Sequence, residues 1–144
     1  VEYWIYNTTP PTGQWRAVTH KGTTDCSGGD RTSAQWLGPG SMQIYPAIST
    51  SASCNEYFIA PALPLNTWTR FADVKQGSTH LVYINGVLAL SGAVGSTVGN
   101  LGPYYIGWDP WYSGLNGSLD DLRVYTRALT ATEINDDIRA SGGP

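Results

Sequence analysis

The stretch NTWTRFADVKQGSTHLVYINGVLALSG, residues 66–92, decides the fold. At its centre stands Asn85-Gly86, the pair best able to take positive φ at both middle positions of a two-residue turn, and apolar runs flank it on either side. The stretch reads as a hairpin, Thr79–Asn85 into Val87–Ser91, preceded by a strand over Trp68–Lys75. Working outward, short runs rich in Val, Ile, Tyr, Trp and Thr recur between clusters of Gly, Pro, Asn and Ser. These predict strands over Glu2–Tyr6, Trp15–Lys21, Ser33–Leu37, Met42–Ile48, Glu56–Ala60, Tyr104–Trp108 and Ser118–Thr126. Such a pattern is that of an all-β sandwich or barrel. Pro46 has no N–H for a ladder, so its strand is expected at a sheet edge or a bulge.

One helix is expected. In LTATEINDDIRA, Thr130 and Glu133 have capping-box spacing, and Ile134 and Ile138 share a face four residues apart. Residues 1–140 then form one domain and 141–144, SGGP, a linker or tail.

Composition narrows the function classes. The chain has 144 residues, 13% of them charged, with a net charge of −3. Its eight Lys and Arg are scattered, which argues against a surface that tracks phosphates. Every apolar stretch is broken by Gly, Pro or a polar residue, so no membrane insertion is expected. Cys26 and Cys54 close a span of 28 residues and lack the spacing of a zinc or redox motif. Paired, they would contribute roughly 3–4 kcal/mol and point to an oxidising compartment. Two sequons, at Asn7 and Asn116, agree with secretion and glycosylation. The first residue is Val and no leader precedes it, so the chain reads as a processed product or an excerpt.

Three stretches together, residues 66–92, YYIGW at 104–108 and LNGSLDDLRVYTRALTATEI at 115–134, resemble the laminin G-like branch of the concanavalin A-like lectin and glucanase jelly rolls. The residues that carry the resemblance are Trp68, Tyr83, Asn85, Gly86, Ile106, Gly107, Gly117, Asp120, Asp121, Arg127, Leu129, Glu133 and Ile134. It implies a two-sheet antiparallel jelly-roll sandwich with a short C-terminal helix, and an extracellular or cell-surface setting. Members often hold calcium, which needs six to eight oxygen ligands; none can be matched here residue by residue. The family pattern also places a strand before VEYWIY, so the Ser118–Thr126 strand is expected to have an open edge where a second chain could pair. Strict alternation along that strand puts Asp120, Leu122 and Val124 on the interior face.

For chemistry, the glucanase relatives need paired carboxylates on one strand face. Glu2, Glu56 and Glu133 are the only glutamates and lie far apart, so no catalytic residue is expected. His20 and His80 fall in strand patterns without a triad or metal spacing, and are read as surface or hydrogen-bonded imidazoles. Six Trp and nine Tyr against two Phe are more informative. Trp4, Trp15 and Trp68 read as core or sheet-face residues. In GWDPWYSG, the rings of Trp108, Trp111 and Tyr112 either stack on a sugar while Asp109 accepts from its hydroxyls, or plug the end of the sandwich and pack against Trp36.

Two function classes remain at this stage. One is a non-catalytic recognition or adhesion module that binds a glycan or an extracellular protein. The other is a structural subunit of an extracellular fibre or appendage, self-associating through an open edge; a polysaccharide-active enzyme comes third.

Overall fold

The computed structural model describes residues 1–23 and 30–144. Among them run β1 (Glu2–Asn7), β2 (Arg16–Lys21), β3 (Thr32–Leu37), β4 (Ile44–Ile48), β5 (Glu56–Tyr57), β6 (Thr69–Gln76), β7 (Thr79–Ile84), β8 (Val87–Ala93), β9 (Tyr104–Ile106), β10 (Ser113–Gly114), β11 (Gly117–Arg123) and α1 (Ala131–Ser141). One sheet has the order β11-β1-β6-β7-β8. The other runs β10-β2-β3-β4-β5, with β9 also paired to β2. This is the expected two-sheet sandwich with one terminal helix.

The deciding hairpin forms as read: β7 turns into β8 through Asn85 at φ 50° and Gly86 at φ 77°. The Asn85 side chain accepts from the Arg70 N–H at 2.8 Å, tying the turn to β6. Between the sheets, alternate residues of β1, β6 and β7 (Tyr3, Ile5, Phe71, Val82) meet Val18, Leu37, Ile44, Met42 and Leu63 from the opposing side. Burial of these side chains, each stabilising by roughly 1.5–3 kcal/mol, holds the layers together. Helix α1 lies on the outer face of the first sheet, where Ile134 packs with Ala72, Val74, Tyr83 and Leu129. Its capping box is present in full, and Gly142 ends it in the left-handed conformation. The helix reaches Ser141, whose hydroxyl accepts from Trp4 Nε1, so the first residue assigned by sequence to the tail makes contact with the sandwich.

Three expectations need correction. First, Asp120 is exposed rather than interior. Two steps along β1, Glu2 to Trp4, face three along β11, Arg123 to Asp120, and Asp121 takes up the extra residue at φ 47°. This bulge breaks the alternation, so Leu119 and Leu122 both pack against the core while Asp120 points to solvent. Second, Pro46 lies in the penultimate strand. Its carbonyl accepts from Phe58 N on the β5 side, so its missing N–H also faces β5, where the ladder stops after two residues. Third, Asn7 is 1% exposed, which leaves no room for an attached glycan; Asn116 is exposed. Cys26 lies outside the described residues, and with it the Cys26–Cys54 pairing.

β11 is the outermost strand of its sheet, bonded on one side to β1. No helix is long and apolar enough to cross a membrane.

Candidate binding site

The outward face of the second sheet is where the aromatic residues gather. Its registers set Trp36 beside Ala17 on one side and Tyr45 on the other, Ala34 beside His20 and Ala47, and Tyr57 beside Ala47. Ala17, Ala34 and Ala47 form a buried cluster with Trp36. Alanine on a sheet face leaves a trough, and here the segment from β9 to β10 folds over part of it.

Asp109 fastens that segment down. It is 2% exposed, and all its acceptor positions are turned inward. Oδ2 faces Trp36 Nε1 at 3.2 Å and His20 Nδ1 at 3.0 Å. Oδ1 accepts from the backbone N–H groups of Trp111 and Tyr112 at 3.0 and 2.8 Å. Burial pushes this carboxyl up, but the bonds from His20, Trp111, Trp36 and Tyr112 outweigh it and hold it below the usual carboxylate range. On its far side, His20 Nε2 faces the Asp30 carbonyl at 3.3 Å. The expected role of Asp109 as acceptor from a sugar therefore does not match its geometry. It is the post that orients the rings around it.

Those rings form a continuous band. Trp108 packs edge-on against Tyr105 at 5.6 Å and Tyr105 edge-on against Trp111 at 5.7 Å, while Trp111 lies tilted against His20 at 5.3 Å. His20 then meets Trp36 at 5.4 Å, and Trp36 meets Tyr112 at 5.9 Å. Beyond Trp36, Tyr45 makes contact with Trp15 at 4.7 Å and Tyr57 at 6.2 Å. Of the two alternatives for the GWDPWYSG rings, packing against Trp36 is seen for one ring, and all three rings keep exposed surface. Tyr112 packs on Trp36, yet Trp108, Trp111 and Tyr112 remain 53%, 42% and 37% exposed.

Alongside the band lies a groove of about 630 Å³, within the range of small-ligand sites. Trp36, Tyr45, Tyr57, Trp15 and Tyr112 supply its apolar walls; Arg31, Gln43 and Asn55 supply polar groups. Tyr112 is the only sequence-predicted site residue on the wall; Trp108 and Trp111 stand on the neighbouring platform. The residues missed are those of β3 and β4 and their flanks. One signal could have found them: Trp36 and Tyr45 alternate with Ala34 and Ala47, an outward face too small-sided to be bare.

Other candidates are engaged elsewhere. Glu2 accepts from Arg70 Nη2 at 2.6 Å, Glu56 from Thr50 and the Gly95 N–H, and Glu133 is in the capping box. His80 and Asp73 form a buried pair between the sheets, with Gln35 Nε2 donating to Asp73 at 2.6 Å. Among the described residues no three His, Cys, Asp or Glu side chains come together as a metal site.

The fold is shared widely. The binding domain of Paraclostridial Mosquitocidal Protein 1 superposes with a TM-score of 0.72 at 15% identity, over 97% of this chain and 36% of that one. Domain 4 of AbnA, an extracellular arabinanase from Geobacillus stearothermophilus, in complex with arabinotriose, gives 0.61 at 22%, over 94% and 63%. Trypanosoma rangeli sialidase, in complex with the inhibitor DANA, gives 0.67 at 16%, over 93% and 21%. The chain thus spans less than two-thirds of each, and at these identities the likeness is one of fold. No curated protein matches the sequence. The family described as the concanavalin A-like lectin/glucanases superfamily matches residues 1–135. With that match running along nearly the whole chain, the protein belongs to the concanavalin A-like lectin/glucanase superfamily.

Proposed function

We propose that this domain is a non-catalytic carbohydrate-recognition module of a secreted or cell-surface protein, and that the groove over β3 and β4, with the aromatic band beside it, is its binding surface. The observation that carries the reading is the groove itself: rings from four separate segments, the exposed Trp15, Tyr57 and Tyr112 and the half-buried Tyr45, converge on one concavity with amide and guanidinium groups between them. Flat rings cover the apolar faces of a pyranose while polar groups meet its hydroxyls. Hydrolysis of a glycoside needs two carboxyl groups flanking the bond, and among the described residues the groove is lined by neither Asp nor Glu. Membership of a lectin-containing superfamily agrees with this, as does the likeness to an arabinanase domain holding arabinotriose.

The test is an array of neutral and acidic oligosaccharides, followed by titration calorimetry on the strongest binder. Tyr45→Ala should lower affinity about tenfold or more, the scale of losing one buried aromatic anchor, with the unfolding midpoint little changed. Absence of binding to every glycan by the folded protein would refute the reading.

Assembly through the β11 edge is the weaker alternative. A bulge at Asp121 and charges at Asp120, Asp121 and Arg123 are devices that keep strands from adding to an edge.

A further inference from the structure

Two residues of the groove wall, Arg31 and Asn55, each carry a polar atom with nothing among the described residues to satisfy it. Arg31 Nε and Asn55 Oδ1 are both buried, and neither has a hydrogen-bond partner among the described residues. Arg31 is the only charged residue on the groove wall among the described residues. Its side chain is 11% exposed, and among the described residues its ion-pair partner is Asp30, whose Oδ2 lies 3.9 Å from Nε, a charge contact too long for a hydrogen bond. Stacking holds the guanidinium in place, 5.3 Å from the centre of the Trp36 ring. The backbone is pinned as well: Arg31 N donates to Ser49 Oγ at 2.8 Å, and its carbonyl accepts from Ser49 N at 2.9 Å.

A buried donor left unmade costs roughly 1–3 kcal/mol, and more when the group is charged. A guanidinium fixed on a ring, with its fork open, suits a planar carboxylate. Asn55 Oδ1 complements it as an acceptor for a hydroxyl. From this pairing we infer that the groove selects acidic saccharides: the carboxylate of a uronic-acid-type sugar docks on Arg31, a ring hydroxyl donates to Asn55 Oδ1, and the sugar face stacks on the tyrosines. This inference rests on the proposed carbohydrate function and names its ligand class.

The experiment compares oligogalacturonides with the same oligomers after carboxyl reduction, by titration calorimetry on the wild-type domain. Acidic oligomers should bind about tenfold or more tightly, the worth of one charge-assisted hydrogen bond, and the preference should shrink as salt is raised. In Arg31→Gln the ratio of the two affinities should fall towards one, while Arg31→Lys, which keeps the charge but loses the fork, should fall between. Unfolding midpoints report whether each variant is folded, and the wild-type ratio needs no variant at all. Equal affinity for acidic and reduced oligomers would overturn the inference and leave the carbohydrate function standing. Failure of both to bind, together with an empty array, would overturn the two together.

Discussion

Removing the Asp109 carboxylate should loosen the aromatic band before anything else. In Asp109→Ala four donors lose their acceptor: Trp36 Nε1, His20 Nδ1 and the backbone N–H groups of Trp111 and Tyr112. Trp111 and Tyr112 belong to exposed residues, so water can reach their amides once the segment relaxes. Trp36 and His20 are 6% and 0% exposed and have no such recourse. Two buried donors at roughly 1–3 kcal/mol each give an expected loss of about 2–6 kcal/mol. Asp109→Asn should cost less, about 1–2 kcal/mol: its amide oxygen still accepts from the two backbone groups, and His20 can offer Nδ1 as an acceptor to the amide nitrogen, which leaves only the Trp36 N–H stranded.

Urea unfolding followed by tryptophan fluorescence measures both. With a slope of about 2 kcal/mol per M, the middle of the usual range, the Ala variant should move the midpoint down by about 1–3 M. The pH dependence adds a sign. Because the folded-state pKa of Asp109 is depressed, its contribution is complete above the ordinary carboxylate value of about 3.9 and is lost as pH falls through the lower folded value. The advantage of wild type over Asp109→Asn should therefore shrink in strong acid. If both variants unfold within about 0.5 kcal/mol of wild type, the four bonds do not hold the loop and the reasoning fails.

Two further outcomes can be checked on the same apparatus. Arg70 is fully buried, donates to Glu2 and to Asp121 at 2.6 and 3.0 Å, and lies over Trp4; Arg70→Ala should cost about 3–5 kcal/mol by stranding the Glu2 carboxylate, and a loss under 1 kcal/mol would contradict this. For the buried pair between the sheets, burial alone would lower the His80 pKa, but the Asp73 carboxylate raises it above the usual value; burial would raise Asp73, and His80 holds it low. His80 therefore stabilises fully below about pH 6.5 and loses that effect as pH rises through its raised value, while Asp73 stabilises above about pH 3.9 and loses it in acid. Urea midpoints should be flat between those limits and decline on the alkaline side, and His80→Gln should remove much of the alkaline decline; an unchanged slope would refute the assignment.

Much of the sandwich was legible because its signals are local. Asn85-Gly86 requires positive φ at two adjacent positions, and Thr130 with Glu133 satisfies two helix-end donors; both are properties of a few consecutive residues, and both appear as read. Strand positions followed from alternation for the same reason. Alternation failed at β11, where Asp121 inserts an extra residue whose presence depends on pairing with β1. It failed again at Pro46, whose tolerance depends on how short β5 is. Burial of Asn7 likewise depends on what packs beside it.

The binding face was almost wholly a product of tertiary structure. From the sequence, the GWDPWYSG loop stood out as rings with a carboxylate, and Tyr112 does reach the groove. Which groups meet a ligand could not be read there, since Asp109 turns inward only because His20 and Trp36 wait on strands nearly ninety and more than seventy positions away. The sequence by itself determined the local geometry, the two-sheet class and the family, because turns, caps and period-two patterns are encoded within a few residues. Packing decided the groove, the open fork of Arg31 and the role of Asp109, because each arises only when segments distant in the chain are brought face to face and compete for the same hydrogen bonds.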